Sequence, residues 1–313
     1  MRRNRVLRIA FLLVAVGLLV LTVVGQREAI GDAFRQLNAF DIALSGAFVL
    51  AGLAAQMLSW RSLFAGSEVG VPPIGIAGRI YYLGQLGKYV PGSVWAVVAQ
   101  AELGKDHRVP RARSATVALS ALVVLVVVGG AVSAAGLAAG STSSLRTYWW
   151  ALLSVPVGIV LLSPRVFNRL IALALRMAKR AGAPPRISGA AVLRSSGWAL
   201  VMWLCFGAHA WFLATGLGAH GAADAATVTG AFALAWVVGF LVVIAPAGAG
   251  PREAALVLAL APVMDTADAI VLALISRLLM VIGDVVAAAA FARRWPVETE
   301  ATTTTADHLE RDQ

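Results

Sequence analysis

The sequence predicts an all-α, polytopic integral membrane bundle of about seven spans, with re-entrant half-helices set among them. Three observations predict it. Hydrophobic residues make up 59% of the 313 and charged residues 13%, and mean hydropathy is +0.81, outside the range of soluble globular domains. Apolar runs long enough to cross a hydrocarbon core of about 30 Å alternate with short polar stretches. Two further apolar stretches are broken by Pro/Gly turns and carry charge, which lipid-facing helices avoid.

Composition also limits function. The single cysteine, Cys205, lies in an apolar run, so it is a small packing residue and no disulfide framework exists. Net charge is +10, and 23 of the 26 basic residues are Arg. They lie in the segments between apolar runs, the signature of positive-inside topology and of anionic headgroups rather than of nucleic acid. No G-x-S-x-G, H-E-x-x-H or P-loop motif occurs, no metal or cofactor site is expected, and the chain reads as a non-enzyme.

The elements follow in order. MRRNRVLR is basic, and Ile9 to Val24 is a retained first span with a cytoplasmic N-terminus. Gln26 to Asp41 is slightly acidic and suits the outer face; Ile42 to Phe64 returns inside near Arg61. A Gly- and Pro-containing loop, Ala65 to Ala77, leads into Gly78 to Gly104. That stretch is apolar, carries Arg79, Lys88 and Glu102, and is broken at Pro91-Gly92. Its halves of about 12 residues would each reach about 18 Å, so neither spans alone, and a re-entrant hairpin near 78–104 is the economical reading. The basic run 105–113 after it requires entry and exit on one side.

Ser114 to Ala138 is the next span, and a Ser/Thr-rich outer turn precedes a short span from Tyr148 to Leu162 whose outer end carries Tyr148, Trp149 and Trp150. Pro164 to Arg194 holds seven basic residues and no acid, and Val166 to Ala178 has the spacing of a helix lying flat on the inner leaflet. Gly197 to Leu217 spans outward. Its His209 reads as a hydrogen-bonded packing residue, because no second metal ligand stands at i+3 or i+4. Thr227 to Ala245 spans inward, and a second broken element, near 245–263, again places a basic residue, Arg252, at the break. Ala269 to Ala292 is the last span and carries Arg277 and Asp284. Residues 1–296 thus form one membrane domain, and 297–313 a disordered polar tail with a cytoplasmic C-terminus.

A helix that begins inside a membrane protein aims unpaired backbone N–H groups and the positive end of its dipole at the break, which favours an anion. Ser93 and Glu253 stand at such helix starts, with Lys88 and Arg252 beside them. Two such starts converging near mid-membrane would suit a phosphate-bearing headgroup, although any one of these charges alone is as well read as neutralised or snorkelling. Arg277 and Asp284 are seven residues apart, so they share a helix face about 10 Å apart and each should meet a partner on another helix. Asp284 or Glu102 could serve as a protonation site; a structural, hydrogen-bonded carboxyl is the plainer reading. The small-residue pairs Gly129-Gly130 and Gly136-Gly140 allow close packing, within the chain or in a homodimer.

Three ordered segments, LGKYVPGSVW (86–95), PAGAGPREAAL (246–256) and SRLLMVIGDV (276–285), resemble the lysylphosphatidylglycerol synthase transmembrane-region family, also described as flippase-like. The matching positions are Gly87, Lys88, Tyr89, Pro91, Gly92, Ser93 and Trp95; Pro246, Gly248, Gly250, Arg252 and Glu253; and Arg277 and Gly283. Ala247, Ala249, Pro251 and Asp284 depart from the pattern, and the alanines should stiffen the second break. The resemblance implies an inner-membrane protein of a prokaryote that moves an anionic phospholipid or polyprenyl-phosphate-linked lipid between leaflets. On this reading Lys88, Ser93, Arg252 and Arg277 bind the lipid phosphate. Pro91, Gly92, Pro246, Gly248 and Gly250 shape the breaks, Tyr89, Trp95 and Asp284 support them, and Glu253 positions Arg252. The C-terminal aminoacyltransferase domain of full-length synthases is not expected here. The alternative is a lipid-binding accessory protein that transports nothing and supports a separate envelope enzyme.

Overall fold

The structure is a computed structural model and describes residues 35–67, 69–89, 95–105, 107, 109–140, 149–177, 186–242 and 250–292. The expected first span, the tail, and the Pro91-Gly92-Ser93 and Pro246 to Gly248 breaks lie outside the described residues. Among those described, every regular element is helical. They are α1 (Ala39–Ser62), α2 (Ile74–Gly78), α3 (Trp95–Lys105), α4 (Arg111–Ala139), α5 (Ser154–Leu162), α6 (Pro164–Met177), α7 (Gly189–Gly216), α8 (Gly221–Leu241), α9 (Pro251–Leu260) and α10 (Thr266–Ala292).

Five of these, α1, α4, α7, α8 and α10, are long and apolar enough to cross a membrane. The expected span over 148–162 is instead a 3-10 turn, Trp149–Leu153, followed by the nine-residue α5. It reaches span length only if joined to α6, from which it is bent by 78°. Pro164 makes that corner: it lacks an N–H and disfavours helical backbone at Ser163, which is extended. α7 and α8 both start earlier than expected, so Asp224 sits in the first turn of α8 and accepts from His220 N at 3.0 Å. Gly218 and Gly221, at φ 91° and 87°, make the turn between them, a backbone that residues with a Cβ rarely adopt. Asn38 and Ser188 cap α1 and α7 by accepting from Asp41 N (2.9 Å) and Ala191 N (3.2 Å).

Named contacts fix the helix directions. α7 runs antiparallel along α1, with Ser59 against Ser195 at one end and Ser45 against His209 towards the other. α4 runs with α7, and Trp203 Nε1 donates to Leu125 O at 3.2 Å. α8 opposes both, its Trp236 ring 5.3 Å from that of Trp203. α10 runs parallel to α1, Leu279 over Gly46 and Gly283 against Val49 and Leu53. One end of the bundle therefore collects Arg61, Arg111, Arg113 and Arg194, and the other Asp41, Asp224, Asp265 and Asp268. We call these the basic and acidic ends. At the basic end the buried Arg113 donates to Leu63 O (2.9 Å), where its charge suits the C-terminal end of α1, and to Arg186 O (3.2 Å) in the segment before α7.

Lipid tails are as apolar as leucine, so close packing rather than water exclusion holds such helices together. The Gly129, Gly136 and Gly140 positions all face neighbours within the chain: Trp203, Gly230 and Thr227. A Cβ on Gly136 would meet Ala226 O at 2.4 Å and the Gly230 backbone at 2.8 Å, whereas one on Gly130 meets nothing within 4 Å. Gly136→Leu is expected to cost about 1–3 kcal/mol by overpacking, and Gly130→Ala to be neutral or slightly stabilising. Thermal unfolding in detergent measures both, and equal effects would refute this packing.

Candidate functional site

Both broken elements end on one face of α10. The first arm of the hairpin is not the regular helix expected. It starts at Ile74 and passes from α2 through a π turn, Arg79–Leu83, to a 3-10 turn, Leu86–Tyr89. Such winding changes recur at functional sites, because they re-aim side chains that an α-helix would hold in register. Here the π turn buries both Tyr81 and Tyr82. Tyr81 packs on Trp60 at 5.4 Å, and Tyr82 donates to Leu53 O and meets the Phe291 ring at 5.2 Å.

The two arms double back on each other. Without side chains, Gly84 and Gly87 touch the opposite arm: a Cβ on Gly87 would lie 2.8 Å from Ala96 N, and one on Gly84 would lie 2.4 Å from Gln100 Cγ. The entry, Gly78, packs on Phe291 near the end of α10, and the exit, Gly104, on Ser114 near the start of α4. Both feet thus stand at the basic end. At the tip Lys88 Nζ lies 2.6 Å from Asp284 Oδ2, and the Tyr89 hydroxyl donates to the same oxygen at 2.6 Å. Asp284 is almost wholly buried, with 4% of its side chain exposed against 30% for Lys88.

The second element approaches from the acidic end. α9 starts at Gly250, where φ is 91°, with Pro251 in the first helical position. The Glu253 carboxylate closes this start, accepting from Gly250 N (2.7 Å) and from Arg277 Nη1 (3.0 Å). The sequence expectation that Glu253 positions Arg252 is therefore corrected: the carboxylate turns to α10 and to its own helix start. It also puts negative charge where an empty, anion-seeking helix terminus was expected, and Pro251 supplies no N–H. Arg252 instead lays its guanidinium over the Phe232 ring of α8, 5.1 Å from the centroid. Neither a hydrogen bond nor an ion pair holds it among the described residues.

Depth follows from chain position. Arg277 lies about 16 Å along α10 from its acidic end, and Asp284 about 12 Å from its basic end. Phe232 is eleven residues into the 21 of α8. The cations Lys88, Arg252 and Arg277 and the carboxylates Glu253 and Asp284 therefore form one band in the middle of the bundle, formally +3 and −2, net +1. Arg252 lies within electrostatic reach of Arg277, Glu253, Asp284 and Tyr89. Arg277 and Asp284 do not pair with each other; each meets its opposite charge on a different broken element.

Of the expected site residues, Lys88, Tyr89, Gly250, Arg252, Glu253, Arg277 and Asp284 are brought together. Trp95 starts α3, with 47% of its surface exposed. Ser93, Pro91, Gly92, Pro246 and Gly248 lie outside the described residues. Glu102 is no buried protonation site: it pairs with Arg111, and more than half of each side chain is exposed. Sequence reasoning missed Phe232, the seat of Arg252. It also missed a buried chain beside it, in which His209 Nδ1 meets Ser45 Oγ (2.6 Å) and Nε2 meets Ser276 Oγ (2.8 Å), tying α1, α7 and α10 together. Aromatic and serine residues within spans carry no local signal of such roles. His209 is a packing residue as expected, and no group that could hold a metal ion occurs among the described residues.

The family model described as "Lysylphosphatidylglycerol synthase TM region" matches residues 6–288, which includes both broken elements and α10 up to residue 288. No curated protein matches the chain. The apolar spans and this match make it a multi-pass membrane protein.

Glu253→Ala leaves a half-buried arginine without its carboxylate and uncaps α9, so it is expected to cost about 1–3 kcal/mol. Arg277→Met added to it should restore part of that loss. Additive losses in the double mutant, read by thermal unfolding, would refute the pairing.

Proposed function

The chain belongs to the lysylphosphatidylglycerol synthase TM region family, and from that premise we propose that it moves an anionic phospholipid or a polyprenyl-phosphate-linked lipid between leaflets. Its membrane is the cytoplasmic membrane of a prokaryote, with the basic end towards the cytoplasm. The observation that carries the proposal is Arg252, a mid-bundle cation that rests on an aromatic face and forms no ion pair among the described residues. Charge at this depth is costly and is kept where it does something. A phosphate supplies the missing counter-charge.

In this reading the phosphate docks on Arg252 and draws Lys88 and Arg277 from their carboxylates. Asp284 and Glu253 hold those two cations in place while the site is empty, and Ser93 adds its hydroxyl at the first break. The headgroup crosses in the polar band while the acyl or prenyl chains stay in the bilayer, beside the exposed Leu278, Ile282, Val285 and Val286 of α10. The two ion pairs favour a second reading as well: they pin both half-helices to α10, as a lipid-binding accessory protein that transfers nothing would require.

Leaflet exchange of fluorescent phosphatidylglycerol and of a short polyprenyl phosphate, in liposomes containing the purified protein, separates these readings. Arg252→Ala is expected to slow exchange roughly 10–100-fold, the loss of one charge-assisted hydrogen bond, while the protein stays folded. Arg252→Lys should keep part of the rate. Unchanged exchange in Arg252→Ala removes the role of Arg252, and lipid binding with no exchange in wild type selects the accessory reading.

A further inference from the structure

We propose that α6 is a fixed, in-plane binding surface for the phosphates of an anionic phospholipid leaflet, separate from the mid-bundle band. α5 runs from Gly158, packed on Val127 midway along α4, to the corner at Pro164, packed on Gly189 at the start of α7, and so descends towards the basic end. A bend of 78° then turns α6 sharply away from the direction of α5, at the basic end of the bundle. Two contacts anchor it there. Asn168 accepts from Ile187 N and donates to Ile187 O, both at 2.9 Å, and Pro164 sits against Gly189 at the start of α7.

The side chains of α6 divide into three stripes. Phe167, Ile171 and Leu175, spaced by four, are buried against the bundle. Arg165, Arg169 and Arg176 fall within about 40° of one another around the helix, and all three are exposed. Val166, Leu170 and Leu173 form a stripe between these two, with Leu173 55% exposed. A solvated basic loop needs no such apolar stripe, and a helix that only completes the bundle needs no arginine row beside it. A row of cations next to a strip of aliphatic side chains, at the end of a membrane bundle, complements one surface: an anionic lipid headgroup layer over acyl chains. Arginine suits it by gripping phosphate oxygens with a planar fork. The buried stripe makes the surface preorganised, because α6 is folded and docked before lipid arrives.

The test is lipid selectivity of the full chain. The purified protein is equilibrated in mixed micelles holding equal phosphatidylglycerol and phosphatidylcholine, and retained lipid is counted by native mass spectrometry. Wild type should enrich phosphatidylglycerol. R165Q/R169Q/R176Q should lose that enrichment by up to roughly fivefold per arginine. All three arginines are exposed, so the variant should unfold at the wild-type temperature. A fluorophore on Leu173→Cys, in a Cys205→Ala background, should be quenched by brominated phosphatidylglycerol and less so in the triple variant. Unchanged enrichment in the triple variant, or a residue-173 fluorophore that brominated lipid does not quench, overturns the proposal. Enrichment that the triple variant keeps and Arg252→Ala loses would assign the selectivity to the mid-bundle band and overturn the proposal equally.

Discussion

The structure depends on two ion pairs that cross from α10 to its two interrupted neighbours. Lys88 reaches Asp284, and Glu253 reaches Arg277. A bilayer penalises each of these four charges if it stands alone, so each half-helix is held where its opposite charge stands. α10 is a rail with two positions about 10 Å apart, and the two broken elements approach it from opposite ends of the bundle. The hairpin comes from the basic end and α9 from the acidic end, so the middle of the molecule holds two ion pairs and the additional cation Arg252.

The rest of the packing serves that arrangement. Gly283 lets α1 press against α10 beside Asp284, and Gly78 admits Phe291 at the foot of the hairpin. Gly84 and Gly87 let the hairpin arms meet backbone to side chain and backbone to backbone. Each of these contacts works through shape, as it must where water exclusion between helices contributes nothing. The buried Ser45–His209–Ser276 chain and the Trp203–Leu125 bond join the long helices by polar contacts fully satisfied inside the bundle. They tie together the uninterrupted helices on which the described parts of the interrupted elements pack.

Function, as proposed, follows from incomplete neutralisation. The pairs cancel four of the five charges, and the fifth rests on Phe232. A site with every charge matched would have no reason to attract an anion, and one with none matched would not be stable at this depth. The arginine row of α6 lies at the surface, where charge costs little and its sign selects the lipids gathered around the bundle.

Much was legible in the sequence. Hydropathy alone determined the helical membrane class, because in a bilayer backbone groups must be satisfied within each segment. Pro and Gly beside charge marked both breaks, and the seven-residue spacing of Arg277 and Asp284 required partners on other elements. The amphipathic spacing after Pro164 gave α6. What the tertiary structure decided is which partner each charge takes. Glu253 turned from its neighbour Arg252 to Arg277, 24 positions away, and Asp284 took a lysine and a tyrosine from nearly 200 positions back. It also decided that Gly129, Gly136 and Gly140 serve contacts inside the chain, that the first arm winds as α, π and 3-10 in turn, and that Phe232 carries Arg252. The reason is physical: backbone preference and membrane crossing are set within a few residues, whereas charge pairing and close contact depend on which helix faces come to lie side by side.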